Sequence, residues 1–143
     1  MYKFLEANVA GYMTTAVRSV ARELSMRELQ RLFERDDYNA YPVVENAHVI
    51  GLVTKYDFLK CFAFQPNHMV PRYDDLMDRM VADVMTPDFI YVHSEIKLTR
   101  VLQLMIDHQM RSIPVIDVDR KLNGIISRED IMRALVECTR GSE

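Results

Sequence analysis

The sequence predicts an α/β protein of the α+β kind, built from two β-α-β-β-α repeats. Two observations carry this. Short β-branched runs alternate with stretches of helical apolar spacing along the chain. The chain also resembles itself. Met13 and Met85 lie 72 residues apart, as do Pro42 and Pro114, while Gly51 and Gly124, and Asp57 and Asp130, lie 73 apart. The extra residue falls between the Pro-Val segments and the glycine, where one copy reads "NAH" and the other "VDRK". Both are turn-like, and a hairpin loop tolerates an insertion.

Each element has its own signal. A β-branched run follows Met-Thr in both copies, "AVRSV" and "FIYV", and predicts a first strand. A helix comes next. Ser25 precedes "MRELQRLF", with Leu29, Leu32 and Phe33 at helical spacing. Ser94 precedes "EIKLTRVLQLMI", with Leu98, Val101, Leu102 and Met105 at i, i+3, i+4 and i+7. Two strands around a polar turn then read as a hairpin: "AYPVVE" with "HVIGLVT", and "SIPVID" with "LNGIIS". "KYDFLKCF" and "REDIMRALVEC" supply the last helices. The repeats occupy residues 10–62 and 81–138. Residues 63–80 read as a linker, with a loop at Pro66 and Pro71 and a short helix in "RYDDLMDRM".

Composition narrows the function classes. A chain of 143 residues fits one compact domain or two small ones, and 49% apolar content supports a real core. A net charge of −3 argues against a general nucleic-acid binder, which carries a basic excess. Glu6 and Asn8 interrupt the N-terminal apolar residues, so no signal-peptide core is expected. No run approaches the roughly 20 apolar residues of a membrane span. The expectations are a cytoplasmic location and no membrane partner. Cys61 and Cys138 form no C-x-x-C pair and read as buried reduced thiols. His48, His68 and His93 have no metal-ligand spacing and read as exposed turn or loop residues. Met69, Met77, Met80 and Met85 around the linker read as core or dimer packing. With no nucleophile–base pair, metal set or P-loop in view, an enzyme is not expected.

Four features occur in fixed order in both copies: Met-Thr before the first strand, an apolar-Pro-Val segment, a glycine in the hairpin's second strand, and Ser/Thr-x-x-Asp opening the last helix. In these the chain resembles a tandem pair of CBS domains, named after cystathionine β-synthase and also called a Bateman module, from about Ala10 to Cys138. The resemblance implies two repeats packed about a pseudo-twofold axis, with clefts between them. It implies a regulatory ligand containing adenosine (AMP, ADP, ATP or S-adenosylmethionine), with no cofactor required. It also implies a homodimer and a regulated protein partner.

On that resemblance Thr54, Asp57, Ser127 and Asp130 carry over as nucleotide contacts. The chemistry agrees. A carboxylate accepts hydrogen bonds from both hydroxyls of a ribose. A hydroxyl at a helix start stands where free N–H groups favour an anion, and Lys55 and Arg128 follow with positive charge. The competing reading is a helix capping box, which needs no ligand. Ser25-Met26-Arg27-Glu28 fits that box without the glycine lead-in and reads as a cap. Thr14 and Thr86 are placed near the adenine by resemblance, or simply lead into a strand. Tyr41 and Ile113 are placed as its apolar walls, or are core. Pro42 and Pro114 fit a strand only at an edge or start, which exposes an edge beside the site. His108 and Arg111 precede Ile113-Pro114, where relatives place basic residues facing phosphate, whereas the first copy has Asp36 and Asn39. Stronger phosphate binding is expected at the site with His108 and Arg111.

Overall fold

The structure is a computed structural model and describes residues 1–140. In chain order the elements are α1 Tyr2–Glu6, a 3-10 turn Val9–Gly11, α2 Met26–Arg35, β1 Ala40–Glu45, β2 His48–Thr54, α3 Lys55–Lys60, α4 Tyr73–Met77, α5 Val81–Val84, α6 Leu98–His108, β3 Ser112–Ile116, β4 Leu122–Ser127 and α7 Arg128–Thr139. The mixture of helices and small antiparallel sheets is the predicted α+β class.

Two compact units are present, and they do not follow the repeats. One is Arg18–Phe89; the other joins Met1–Val17 to the chain from Ile90. Each unit thus takes its helix–hairpin–helix from one repeat and its leading Met-Thr segment from the start of the other. In the first unit, Leu52 and Thr86 exchange backbone hydrogen bonds at 3.0 and 2.8 Å. In the second, Thr14 and Ile125 do the same at 2.9 Å each. The segment upstream of Met-Thr is also repeated. Phe4 and Leu76, and Val9 and Val81, are 72 residues apart, and all four are buried. Hence α1 is the counterpart of α4, and the part of the linker from Tyr73 onward is built into the first unit. Leu76 and Met77 are buried there, and Arg27 donates to Asp78 at 3.1 Å and Asp74 at 3.4 Å.

Both hairpins pair antiparallel, and each register shifts once, at Val43/Val44 and at Val115/Ile116. The loops hold the length difference. In the first, Glu45 faces His48 across Asn46 and Ala47, both with positive φ (51° and 67°), the two-residue arrangement whose twist suits a hairpin. The second has three residues between Asp117 and Lys121, ending on Arg120 at φ 64°. The Asp117 carboxylate holds it by accepting from the Asp119 and Lys121 N–H groups, each at 2.9 Å.

The first strand predicted in each repeat shrinks to one residue. Val20 forms a parallel bridge to Val43, and Val92 to Val115. Val20 donates to the Pro42 carbonyl and accepts from Val44, both at 2.9 Å. Continuing the ladder toward Arg18 needs a donor from the N–H of Pro42, which has none. Pro114 sets the same limit beside Val92, which donates to the Pro114 carbonyl at 3.1 Å. So Pro42 and Pro114 sit in the hairpin strands at an edge, as predicted, and also stop a neighbour from extending.

Helix starts divide. Ser25 caps α2 by accepting from the Glu28 N–H at 3.2 Å, as read. Ser94 does not start α6. It lies in a turn, and the helix begins at Leu98 after Lys97, the true counterpart of Ser25 at an offset of 72. Lys97 bridges to Asn8 as Ser25 bridges to Met80. The apolar spacing of both helices holds. Leu29, Leu98, Val101 and Met105 are fully buried, with Leu32, Phe33 and Leu102 partly so.

Candidate functional site

Each unit folds one Ser/Thr-x-x-Asp corner in the same way. The strand ends, the chain turns into a helix, and the Asp side chain folds back over the turn. In the first unit Thr54 accepts from the Asp57 N–H at 3.0 Å, and the Asp57 carboxylate accepts from the Thr54 N–H at 2.9 Å. In the second, Ser127 accepts from the Asp130 N–H at 3.2 Å, and the Asp130 carboxylate accepts from the Ser127 N–H at 2.9 Å. These are reciprocal capping boxes, with Asp in the place usual for Glu or Gln. Asp57 and Asp130 are each 4% exposed.

A second partner compensates each buried charge. Lys60 Nζ lies 3.3 Å from Asp57 Oδ1, and Arg133 donates to Asp130 Oδ1 at 3.1 Å. These two residues were missed from the sequence, yet their spacing three residues after each Asp, on the same helix face, is a readable signal. Arg133 also reaches out of its helix, donating to the Tyr12 carbonyl at 2.8 Å. Thr86 places its hydroxyl 3.3 and 3.4 Å from the two Asp57 oxygens. Among the described residues, no buried side-chain nitrogen or oxygen lacks a hydrogen-bond partner.

The other expected residues are distributed unevenly. Lys55 and Arg128 turn away from the carboxylates: Lys55 Nζ stands 5.9 Å from the centre of the Phe33 ring, and Arg128 Nε donates to the Met110 carbonyl at 3.0 Å. Their backbones are equivalently held, Lys55 N–H donating to Asn39 and Arg128 N–H to Arg111, each at 3.0 Å. This brings Arg111 next to the second corner. Arg111 is exposed, as is His108 at the end of α6. The side chains of Tyr41 and Ile113 are fully buried in the cores of their own units. Thr14 joins the unit of Asp130, and Thr86 that of Asp57.

Asp36 is tied down. Arg18 Nε at 3.0 Å, Arg35 Nε at 3.3 Å and the Tyr41 hydroxyl at 3.0 Å all converge on it. Desolvation pulls its carboxyl upward, but the bonds from Arg35 and Tyr41 and the charges of Arg35 and Arg18 win and hold it below its ordinary value. Tyr41 shifts the other way, pushed up by burial and then by the Asp36 carboxylate. Its hydroxyl also donates to the Leu32 carbonyl at 2.8 Å, so the pair closes the end of α2.

The remaining sequence readings can be placed. Cys138 is buried and Cys61 half-buried, both as free thiols. His48 opens β2 rather than lying in a turn, and is exposed. His68 and His93 are exposed; His93 Nδ1 lies 2.7 Å from the Ile116 carbonyl. Met77 is core and Met85 packs against Gly51, while Met69 and Met80 are exposed. Among the described residues no His, Cys, Asp and Glu cluster is placed to hold a metal ion. No helix among them is long and apolar enough to cross a membrane.

Comparison with known proteins follows the same repeat. A model of the CBS domain matches residues 9–63 and 81–137. Among relatives, the uncharacterized protein MJ0188 of Methanocaldococcus jannaschii is 28% identical over 137 residues, which is 94% of this chain and 46% of that protein. The chain spans about half or less of the length of the first curated relatives it matches. Among solved structures, CBSX2 of Arabidopsis thaliana in complex with AMP superposes with a TM-score of 0.79 at 24% identity, covering 93% of this chain and 98% of that one. The CBS domain pair of MJ0100, in complex with 5′-methylthioadenosine and S-adenosyl-L-methionine, gives 0.74 at 21% identity, covering 90% and 99%. These likenesses establish the fold, and the family match covers both repeats: the chain belongs to the CBS domain family and carries two copies of the domain.

Proposed function

We propose that this chain is a regulatory module that binds an adenosine-containing nucleotide at its Ser/Thr-x-x-Asp corners and passes occupancy on to a partner protein. The observation that carries the reading is the duplicated corner. Two buried carboxylates stand in the same backbone frame, one per unit, each held by a helix-start hydroxyl residue and a cation one turn later. A fixed, charged acceptor of this kind suits a ribose diol, because its orientation is settled before the ligand arrives. Solved CBS-pair relatives with AMP, or with S-adenosylmethionine and methylthioadenosine, support the choice of ligand class. At the second corner α7 is a twelve-residue helix whose N-terminus suits a phosphate, and Arg111, whose carbonyl accepts from the Arg128 N–H, adds positive charge nearby. A thermal-shift screen with AMP, ADP, ATP and S-adenosylmethionine tests this. A ligand that binds the folded state raises its stability by RT ln(1 + [L]/Kd), about 2.7 kcal/mol at a hundredfold excess over Kd. No shift with any of the four contradicts the reading.

A second reading, a dimerisation or interaction module without a ligand, has its own support. Both carboxylates are already partnered inside the chain. In addition, α7 exposes Met132 and Val136, and α3 exposes Tyr56 and Leu59. Apolar residues four and three apart share a helix face and suit a homodimer contact. Light scattering after size exclusion measures the mass. A monomer that keeps its nucleotide-dependent shift removes this second reading.

A further inference from the structure

The two corners differ in how much of their carboxylate is still open, and one residue accounts for the difference. An ionised carboxylate offers about four acceptor positions. At Asp130 two are in use, by the Ser127 N–H and by Arg133. Two remain, the number a cis-diol needs. At Asp57 the Thr54 N–H and Lys60 take the equivalent pair, and the Thr86 hydroxyl takes a third by sharing itself between both oxygens at 3.3 and 3.4 Å. One remains. The residue equivalent to Thr86 is Thr14. Its backbone makes the same ladder bonds, to Ile125 instead of Leu52, but its hydroxyl has no partner among the described residues.

From this we infer that Thr86 is the residue that sets the order of filling: its hydroxyl occupies the Asp57 carboxylate, so a nucleotide takes the Asp130 corner first and reaches the Asp57 corner only by displacing Thr86. The inference rests on the nucleotide reading and ranks its two sites. The Thr86 bond is long for O–H···O, so its displacement is a modest cost. A net hydrogen-bond contribution of about 0.5–1.5 kcal/mol corresponds to roughly two- to tenfold in affinity. Arg133 strengthens the contrast. Its fork fixes Asp130 by anchoring on the Tyr12 carbonyl, whereas Lys60 has a flexible stem and an ammonium that also lies 5.4 Å from the centre of the Tyr56 ring.

The experiment is calorimetric titration with AMP in an Asp130→Ala background, which leaves the Asp57 corner alone. Thr86→Val there should tighten binding roughly two- to tenfold, and Thr86→Ser, which keeps the hydroxyl, should match the parent. In the wild-type background Thr86→Val should narrow the gap between the two affinities. Thermal midpoints verify that each variant folds, and Thr86→Ala replaces the valine if it does not. Unchanged or weaker AMP binding in the folded hydroxyl-free variant overturns the role of Thr86 and leaves the nucleotide reading standing. A wild-type protein that binds none of AMP, ADP, ATP and S-adenosylmethionine overturns both.

Discussion

Asp57 and Asp130 follow cap residues of matching backbone, Thr54 at φ −107° and ψ 165° and Ser127 at φ −113° and ψ 167°, yet their surroundings are not copies. Both end a strand, start a helix, close a capping box and meet a cation three residues on. Around Asp57 the third partner is a hydroxyl from the Met-Thr segment; around Asp130 that segment contributes the Tyr12 carbonyl, through Arg133. The difference teaches that the motif specifies a frame and the residues just outside it specify the site. A motif match alone therefore makes the two sites look equal. The packing makes them unequal.

The sharpest way to break that comparison is at the glycines. A Cβ on Gly124 would stand 2.5 Å from the Thr14 carbonyl oxygen, which is backbone and fixed by its own ladder bonds. A Cβ on Gly51 would meet the flexible Met85 sulfur at 2.7 Å and the Thr86 carbonyl only at 3.2 Å. Gly124→Ala should therefore cost about 2–3 kcal/mol and Gly51→Ala about 1 kcal/mol, read by urea denaturation. Equal losses would say that the two Met-Thr segments yield equally. A smaller effect compares the hairpin loops. Ala47→Gly relieves a left-handed φ of 67° and should raise stability by roughly 0.5–1 kcal/mol, as should Arg120→Gly at 64°. A loss of stability in either variant contradicts the loop account.

The smallest expected effect separates the units by pH. Asp36 has a folded pKa below its unfolded value of about 3.9, so its contribution is present above about pH 4 and is lost as pH falls through the lower, folded value. Asp36→Asn should therefore differ from wild type most at pH 5 and above, and the two should converge in acid. The corresponding site in the other unit is His108, an exposed residue without that pairing. A gap that widens as the pH drops contradicts the assignment of Arg35, Tyr41 and Arg18 as the groups that hold Asp36 down.

Periodicity and repetition made most of the fold legible, because they record which face of each element is buried. Leu29, Leu98, Val101 and Met105 were readable for that reason. What escaped depended on partners distant in sequence. "AVRSV" and "FIYV" have the composition of strands, but Pro42 and Pro114, more than twenty residues away, withhold the donor that would lengthen them. The exchange of Met-Thr segments leaves no periodic trace at all. Its closest signal was the glycine in each hairpin, which the crossing segment requires. Ser94 misled because a serine ahead of a helical pattern is a common start, whereas the repeat offset pointed to Lys97. In the site, the Asp pair was legible from resemblance and the cap from spacing. The bonds of the Tyr41 hydroxyl to Leu32 and Asp36 left no mark in the spacing. Lys60 and Arg133 lie one turn beyond the charges that follow Thr54 and Ser127 directly, so only their helical spacing from each Asp marks them.

The proposed unequal binding of a nucleotide at the two carboxylate corners has a direct test. Calorimetric titration of AMP into wild type, Asp130→Ala and Asp57→Ala tests it most directly. The account predicts two affinities in the wild type, loss of the tighter one in Asp130→Ala and of the weaker one in Asp57→Ala. Equal losses in the two variants, or loss of the tighter affinity in Asp57→Ala, would contradict it.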